Sequence, residues 1–81
     1  MPHYFFDTCE DGHVISDEVG LELPGIEDAK REAARSLADL ARDVLSSSMK
    51  KREFAVEVRD ALSKRILRIV LVFDIEHEPP V

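Results

Sequence analysis

Side chains able to do chemistry crowd into one stretch, FDTCEDGHVISDE, from Phe6 to Glu18. Six acidic or thiol groups and a histidine surround a single glycine there. Asp7, Cys9, Asp11, Gly12 and Glu18 fall at the first, third, fifth, sixth and twelfth places of a calcium-loop pattern, which asks for oxygen ligands and a sharply turning glycine. The third place holds a soft sulfur that a hard cation disfavours. The flanks also differ from a calcium loop, because Tyr4-Phe5-Phe6 is strand-like and Val19-Gly20 is a poor helix start. Asp7, Asp11 and Glu18 are therefore weak candidates for an ion site. The competing and favoured reading is a turn between two strands, since Asp11-Gly12 supplies the positive φ a tight reversal needs.

Other chemistries find less in the sequence. His3, Cys9, His13 and His77 have no zinc-ligand spacing. A nucleophilic Cys9 needs a base, and His13, across the expected turn, is the local one. The carboxylates lie in charge-rich segments that promise no burial, whereas a general acid needs a raised pKa. No phosphate loop, Ser-His-Asp order or cofactor motif is present. Neither a catalytic residue nor a cofactor is expected, and an enzyme is the poorest of the functional readings.

The elements that must position these groups follow from periodicity. Tyr4 to Thr8 reads as a strand, Cys9 to Gly12 as a turn and His13 to Ser16 as a second strand. Val19 to Leu23 is a short link or turn. After Pro24-Gly25 the period becomes helical: Ile26, Ala29, Ala33, Leu37, Leu40, Ala41 and Val44 share one stripe. Gly25 serves as N-cap with Asp28 three residues on. Glu27 with Arg31, and Arg35 with Asp39, are placed to pair four apart. Ser46-Ser47-Ser48 ends the helix. Glu53 to Asp60 alternates, with Phe54, Val56 and Val58 on one side. Ala61 to Lys64 is a hairpin loop, and Arg65 to Glu76 a long last strand with Leu67, Ile69, Leu71, Phe73 and Ile75 on one face. Pro79-Pro80 stops pairing and leaves 78–81 a loose tail.

A length of 81 residues means one domain, 1–81, and a core that is marginal for a monomer. No apolar run approaches the ~20 residues of a membrane span. Met1 to Asp7 lacks the basic start of a secretory leader. The single Cys9 fits a reducing, cytoplasmic setting. Net charge is −6. All eleven basic residues lie after Ala29, so the first part of the chain repels a phosphate backbone, and neither nucleic acid nor membrane is an expected partner.

The residues Tyr4-Phe5-Phe6-Asp7, Asp11-Gly12, Asp17, Gly20, Glu22-Leu23-Pro24, Ala29 to Arg35 and Glu53 to Asp60 together resemble a family of short bacterial proteins. It is a domain of unknown function, found in soil and plant-associated bacteria. The resemblance covers Tyr4 to about Glu76 and implies no catalytic residues. Relatives more often carry aspartate where this chain has Gly25.

The expected architecture is α+β and two-layered, β-β-α-β-β, with a mainly antiparallel four-stranded sheet and one amphipathic helix on one face. The expected role is a cytoplasmic protein-interaction or regulatory module acting as a homo-oligomer, a dimer. The face of the last strand with Ile66, Val70 and Val72, joined by Phe5, needs cover, and a second copy or a sheet edge would supply it. Met49-Lys50-Lys51-Arg52 is either a docking patch for an acidic partner or, by preference, a solvated loop at the helix C-terminus. The alternative role is a weak metal- or ligand-binding protein using the Asp7–Glu18 turn.

Overall fold

A computed structural model describes residues 1–45 and 51–79. The chain runs β1 (His3–Glu10), β2 (His13–Ile15), β3 (Leu21–Glu22), α1 (Ile26–Leu45), β4 (Arg52–Arg59) and β5 (Arg65–Phe73). All strand pairs are antiparallel. The spatial order is β2-β1-β4-β5, and β3 pairs with the first residues of β1. The fold is thus α+β with one helix. The expected four strands are joined by a fifth of two residues: Leu21 pairs with Tyr4 and Glu22 with His3. A two-residue strand is too short to alternate visibly, which is why Val19–Leu23 reads only as a link in the sequence.

The first hairpin turns on Asp11 (φ 48°) and Gly12 (φ 84°), the positive pair that matches the twist of the flanking strands. The β4–β5 hairpin is held by Asp60. Its Oδ1 accepts from the backbone N–H groups of Leu62 and Lys64, both at 2.9 Å. Strand β5 ends at Phe73, short of the expected Glu76. Pro24 and Gly25 start the helix, and the Gly25 carbonyl accepts from the Ala29 N–H at 3.2 Å, as an N-cap carbonyl should. The exposed helix charges pair three apart, not four: Lys30 with Glu27, Arg31 with Asp28, Arg35 with Glu32 and Arg42 with Asp39. Both spacings bring side chains together on a helix.

The core lies between α1 and one sheet face. Ala29, Ala33, Leu37 and Ala41 meet Tyr4, Phe6, Phe54, Val56 and Val58, with Leu67 and Ile69 partly buried at the β5 side. The small alanines let the helix axis come close to central β4. The register puts Val56 opposite both Thr8 and Ile69, so the alternation of β4 fixes the face of its two neighbours. A bulge at Val58/Arg59 breaks this alternation in β5: Val58 is opposite Leu67 and Arg59 is opposite Arg65, leaving Ile66 extra. Ile66 lines a groove with Tyr4 and Ile26, so it does not join Val70 and Val72 in the patch expected of it.

Ser46–Ser48, Met49-Lys50 and Pro80-Val81, to which the helix stop, half of the basic turn and the end of the loose tail were assigned, lie outside the described residues. Of that basic turn, Lys51 lies 3.9 Å from Asp74, and Arg52 reaches Glu10 at 2.6 Å and Asp11 at 3.5 Å. No helix among the described residues is long and apolar enough to cross a membrane.

Candidate functional site

Alternation along β1 sends Tyr4 and Phe6 into the core and Phe5, Asp7 and Cys9 to the helix-free face. Asp7 is nonetheless buried, and it is the one polar residue among the described ones with that status. A buried carboxylate needs partners. Arg59, next to it on β4, supplies them: Nε donates to Asp7 Oδ2 at 2.7 Å and Nη2 to Oδ1 at 3.1 Å, a bidentate pair. The 16–20 segment folds over the same carboxylate. The Asp17 backbone N–H donates to Asp7 Oδ1 at 2.9 Å, and Arg59 Nη2 donates to the Asp17 carbonyl at 2.9 Å.

Asp17 completes the cluster in the other direction. Its Oδ2 accepts from the Phe6 N–H at 3.1 Å, and its Oδ1 from the Val19 and Gly20 N–H groups at 3.0 and 3.1 Å. Gly20 has φ 70°, and a Cβ there would sit 2.6 Å from both His3 Nε2 and the Tyr4 carbonyl. That close approach is what glycine permits. His3 Nε2 bonds the Val19 carbonyl at 2.9 Å. The Phe5 ring lies 4.9 Å from the His3 ring and 4.8 Å from the Arg59 guanidinium carbon, within cation–π reach. Phe5 is thereby half-covered and is withdrawn from the expected docking patch.

The electrostatics follow from these contacts. The Arg59 hydrogen bonds hold the Asp7 carboxyl below the usual carboxylate range, against the opposing effect of burial. Burial pushes Asp17 up, but the N–H groups of Phe6, Gly20 and Val19 together with Arg59 outweigh it, and its pKa is also lowered. The Asp7 hydrogen bond raises Arg59. Two ionised carboxylates and a cation, each spoken for by internal bonds, make a clamp for the 16–20 segment. A general acid would need the opposite shift.

The sequence candidates distribute as follows. Asp7 is committed to Arg59. Asp11 occupies the turn, its Oδ1 accepting from the Glu53 N–H at 3.0 Å. Glu18 is exposed. The span from Asp7 to Glu18 is a β-hairpin and clamp, and among the described residues no three His, Cys, Asp or Glu side chains converge as an ion site would need. Cys9 and His13 do not face each other. Cys9 is opposite Val14 and His13 is opposite Glu10, so the two side chains leave opposite faces of the sheet. Cys9 is buried, and that burial raises its pKa, which works against a thiolate nucleophile. Arg59 is the residue that sequence reading missed. The one signal was Asp7 alternating with Phe5 and Cys9, a carboxylate in an otherwise apolar row, but its partner depends on the β1–β4 register.

Grooves also mark the surface among the described residues. One, of about 530 Å³, lies where Pro2, His3 and Tyr4 meet Ile26, Leu62 and Ile66. A second, about 480 Å³, is bounded by the Asp11-Gly12 turn, Lys51 to Glu53 and Val72. A third, about 250 Å³, lies between β1, His13, Ile15 and Leu40. No unbonded buried side-chain donor or acceptor exists among the described residues to point into any of them.

A single helix on an antiparallel sheet, with the first hairpin strapped to β4 by a buried carboxylate–guanidinium clamp, defines a small two-layer α+β domain. The chain belongs to DUF6894, a family classed as a domain of unknown function, which matches residues 3–72. That match starts on the first residue of β1 and stops one short of the end of β5, so the family unit is the sheet and its helix. No curated protein and no solved structure gives a match.

Proposed function

We propose that this domain works by presenting a surface: a cytoplasmic protein-interaction or regulatory module that acts as a homo-oligomer, without catalytic chemistry of its own. The observation that carries the reading is the helix-free sheet face. Val14, Val70 and Val72 lie on it and are 54%, 44% and 56% exposed, in an apolar band that crosses the buried Cys9 and Ala55. Arg65, Arg68, Glu57 and Glu53 pair beside the band and do not cover it.

The amount of surface supports the same reading. The chain exposes 5795 Å², where a compact monomer of 9.2 kDa exposes about 4,900 Å². Its radius of gyration is 15.0 Å, against about 12 Å for a compact chain of this length. Part of that excess belongs to the exposed segment after Phe73; a domain of this size still has limited apolar burial to set against its chain entropy, and a second copy adds more. The groups best suited to acid–base work are held ionised in the clamp, which favours binding over catalysis.

Size-exclusion chromatography with light scattering tests the proposal. A species of twice the chain mass, dissociating on dilution, is expected. A 9.2 kDa particle at every concentration would contradict it. A melting temperature raised by millimolar calcium would favour ion binding at the Asp7–Glu18 turn instead.

A further inference from the structure

We infer that two copies of the chain pair antiparallel along the free edge of β5, making one continuous sheet. The inference rests on the homo-oligomer reading above and adds the surface and the geometry. Among the described residues β5 pairs with β4 alone, so the other edge of a nine-residue strand has no sheet neighbour. A long free edge is a template for another strand, and natural edges are usually blunted by charge, proline or brevity. This one reads RILRIVLVF, with Arg68 the single charge between Ile66 and Phe73. The β1–β2 edge, by contrast, is short and interrupted: β2 has three residues and β3 two.

The partner is specified by charge. Lys64 and Arg65 stand at the start of β5, while Asp74, Glu76 and Glu78 follow its end. Antiparallel pairing of the strand with itself brings each basic end against the acidic end of the other copy. Parallel pairing would oppose like ends. Closed two-fold symmetry limits the register further. Directly opposed residues must lie on the same sheet face, so the axis passes through a residue and not between two. An axis at Arg68 would oppose like charges. An axis at Ile69 opposes Leu67 to Leu71 and brings Lys64, just before the bulged start of the strand, near Asp74, just past its end, in the other copy, and is the assigned register. Arg68 of one copy then opposes Val70 of the other, the two Val70 side chains are diagonal neighbours on the helix-free face, and both helices lie on the same side.

Distances between nitroxide labels separate this arrangement from its rivals. In a Cys9→Ala background, Val70→Cys and Val14→Cys each carry a label at an exposed site. For the β5-paired dimer the Val70 labels should lie within about 20 Å. The Val14 labels should be about 35 Å apart, seven strand spacings of ~4.8 Å. A dimer with long Val70 distances, or with short distances at both sites as in stacked sheet faces, would overturn the pairing and leave the homo-oligomer reading standing. A monomer at all concentrations would end both. Charge exchange supplies a second readout. Lys64→Glu should raise the dimer dissociation constant roughly fivefold, and adding Asp74→Lys should restore it. Absence of rescue would rule out the assigned register.

Discussion

Asp7 accepts two hydrogen bonds from Arg59 and one from the Asp17 backbone, so its charge is tied to the folded chain. Both Asp7 and Asp17 titrate below their ordinary range in the fold. The stability they contribute is therefore complete above the unfolded carboxylate pKa, near 4, and is lost as pH falls through the lower folded values. Asp7→Asn should flatten the dependence of unfolding free energy on pH below about 4, as measured by urea denaturation at each pH. Asp7→Ala should cost about 3 kcal/mol at neutral pH, the low end for one partner removed from a buried pair. A cost under ~0.5 kcal/mol would mean the clamp holds nothing. At Gly20 both the left-handed backbone and the contacts with His3 and Tyr4 oppose a Cβ, so Gly20→Ala should cost about 2–4 kcal/mol. Gly12→Ala, with open space around it, should cost about 1 kcal/mol. The residues of the clamp on the N-terminal side, Asp7, Asp17 and Gly20, are legible as a pattern in the sequence. Their joint purpose is not, because Arg59 sits 52 residues from Asp7 and only strand register brings it there. The resemblance to a calcium loop arises because a hairpin turn and a carboxylate clamp use the same residue types, Asp and Gly, at similar spacings.

At the scale of elements, the helix and β4 are legible, except that Ile26, at the head of the expected stripe, is exposed. Ala29, Ala33, Leu37 and Ala41, each four residues apart, and the alternating Phe54, Val56 and Val58 are all buried in the structure. Those patterns exist because burial on one face is what selects the residues. The alanines matter for their size. Ala33 is fully buried where the helix meets the sheet, and Ala33→Leu should cost about 1–3 kcal/mol by forcing the layers apart. A thermal midpoint equal to that of the natural chain would show that the contact is loose. The elements that sequence reading blurred are those with few residues or broken alternation. Strand β3 is two residues long, and the bulge in β5 moves Ile66 toward the groove beside Tyr4 and Ile26. Neither event changes composition, so neither leaves a mark on periodicity.

For the whole molecule, the decisive feature is asymmetry between the two sheet faces. One face is closed by α1, while the other combines a paired charge row with an exposed valine band and ends at the open edge of β5. The last strand has its own charge asymmetry, with Lys64 and Arg65 at its start and Asp74, Glu76 and Glu78 past its end. That makes a second copy the best electrostatic match for the edge. If association completes the fold, then unfolding is coupled to dissociation, and stability must depend on how much protein is present. Urea unfolding followed over a hundredfold range of protein concentration tests this most directly. The account predicts that the midpoint rises with concentration, by the equivalent of about 1.4 kcal/mol of dimer stability for each tenfold increase. A midpoint independent of concentration over that range would show a chain that is complete alone and would contradict the account.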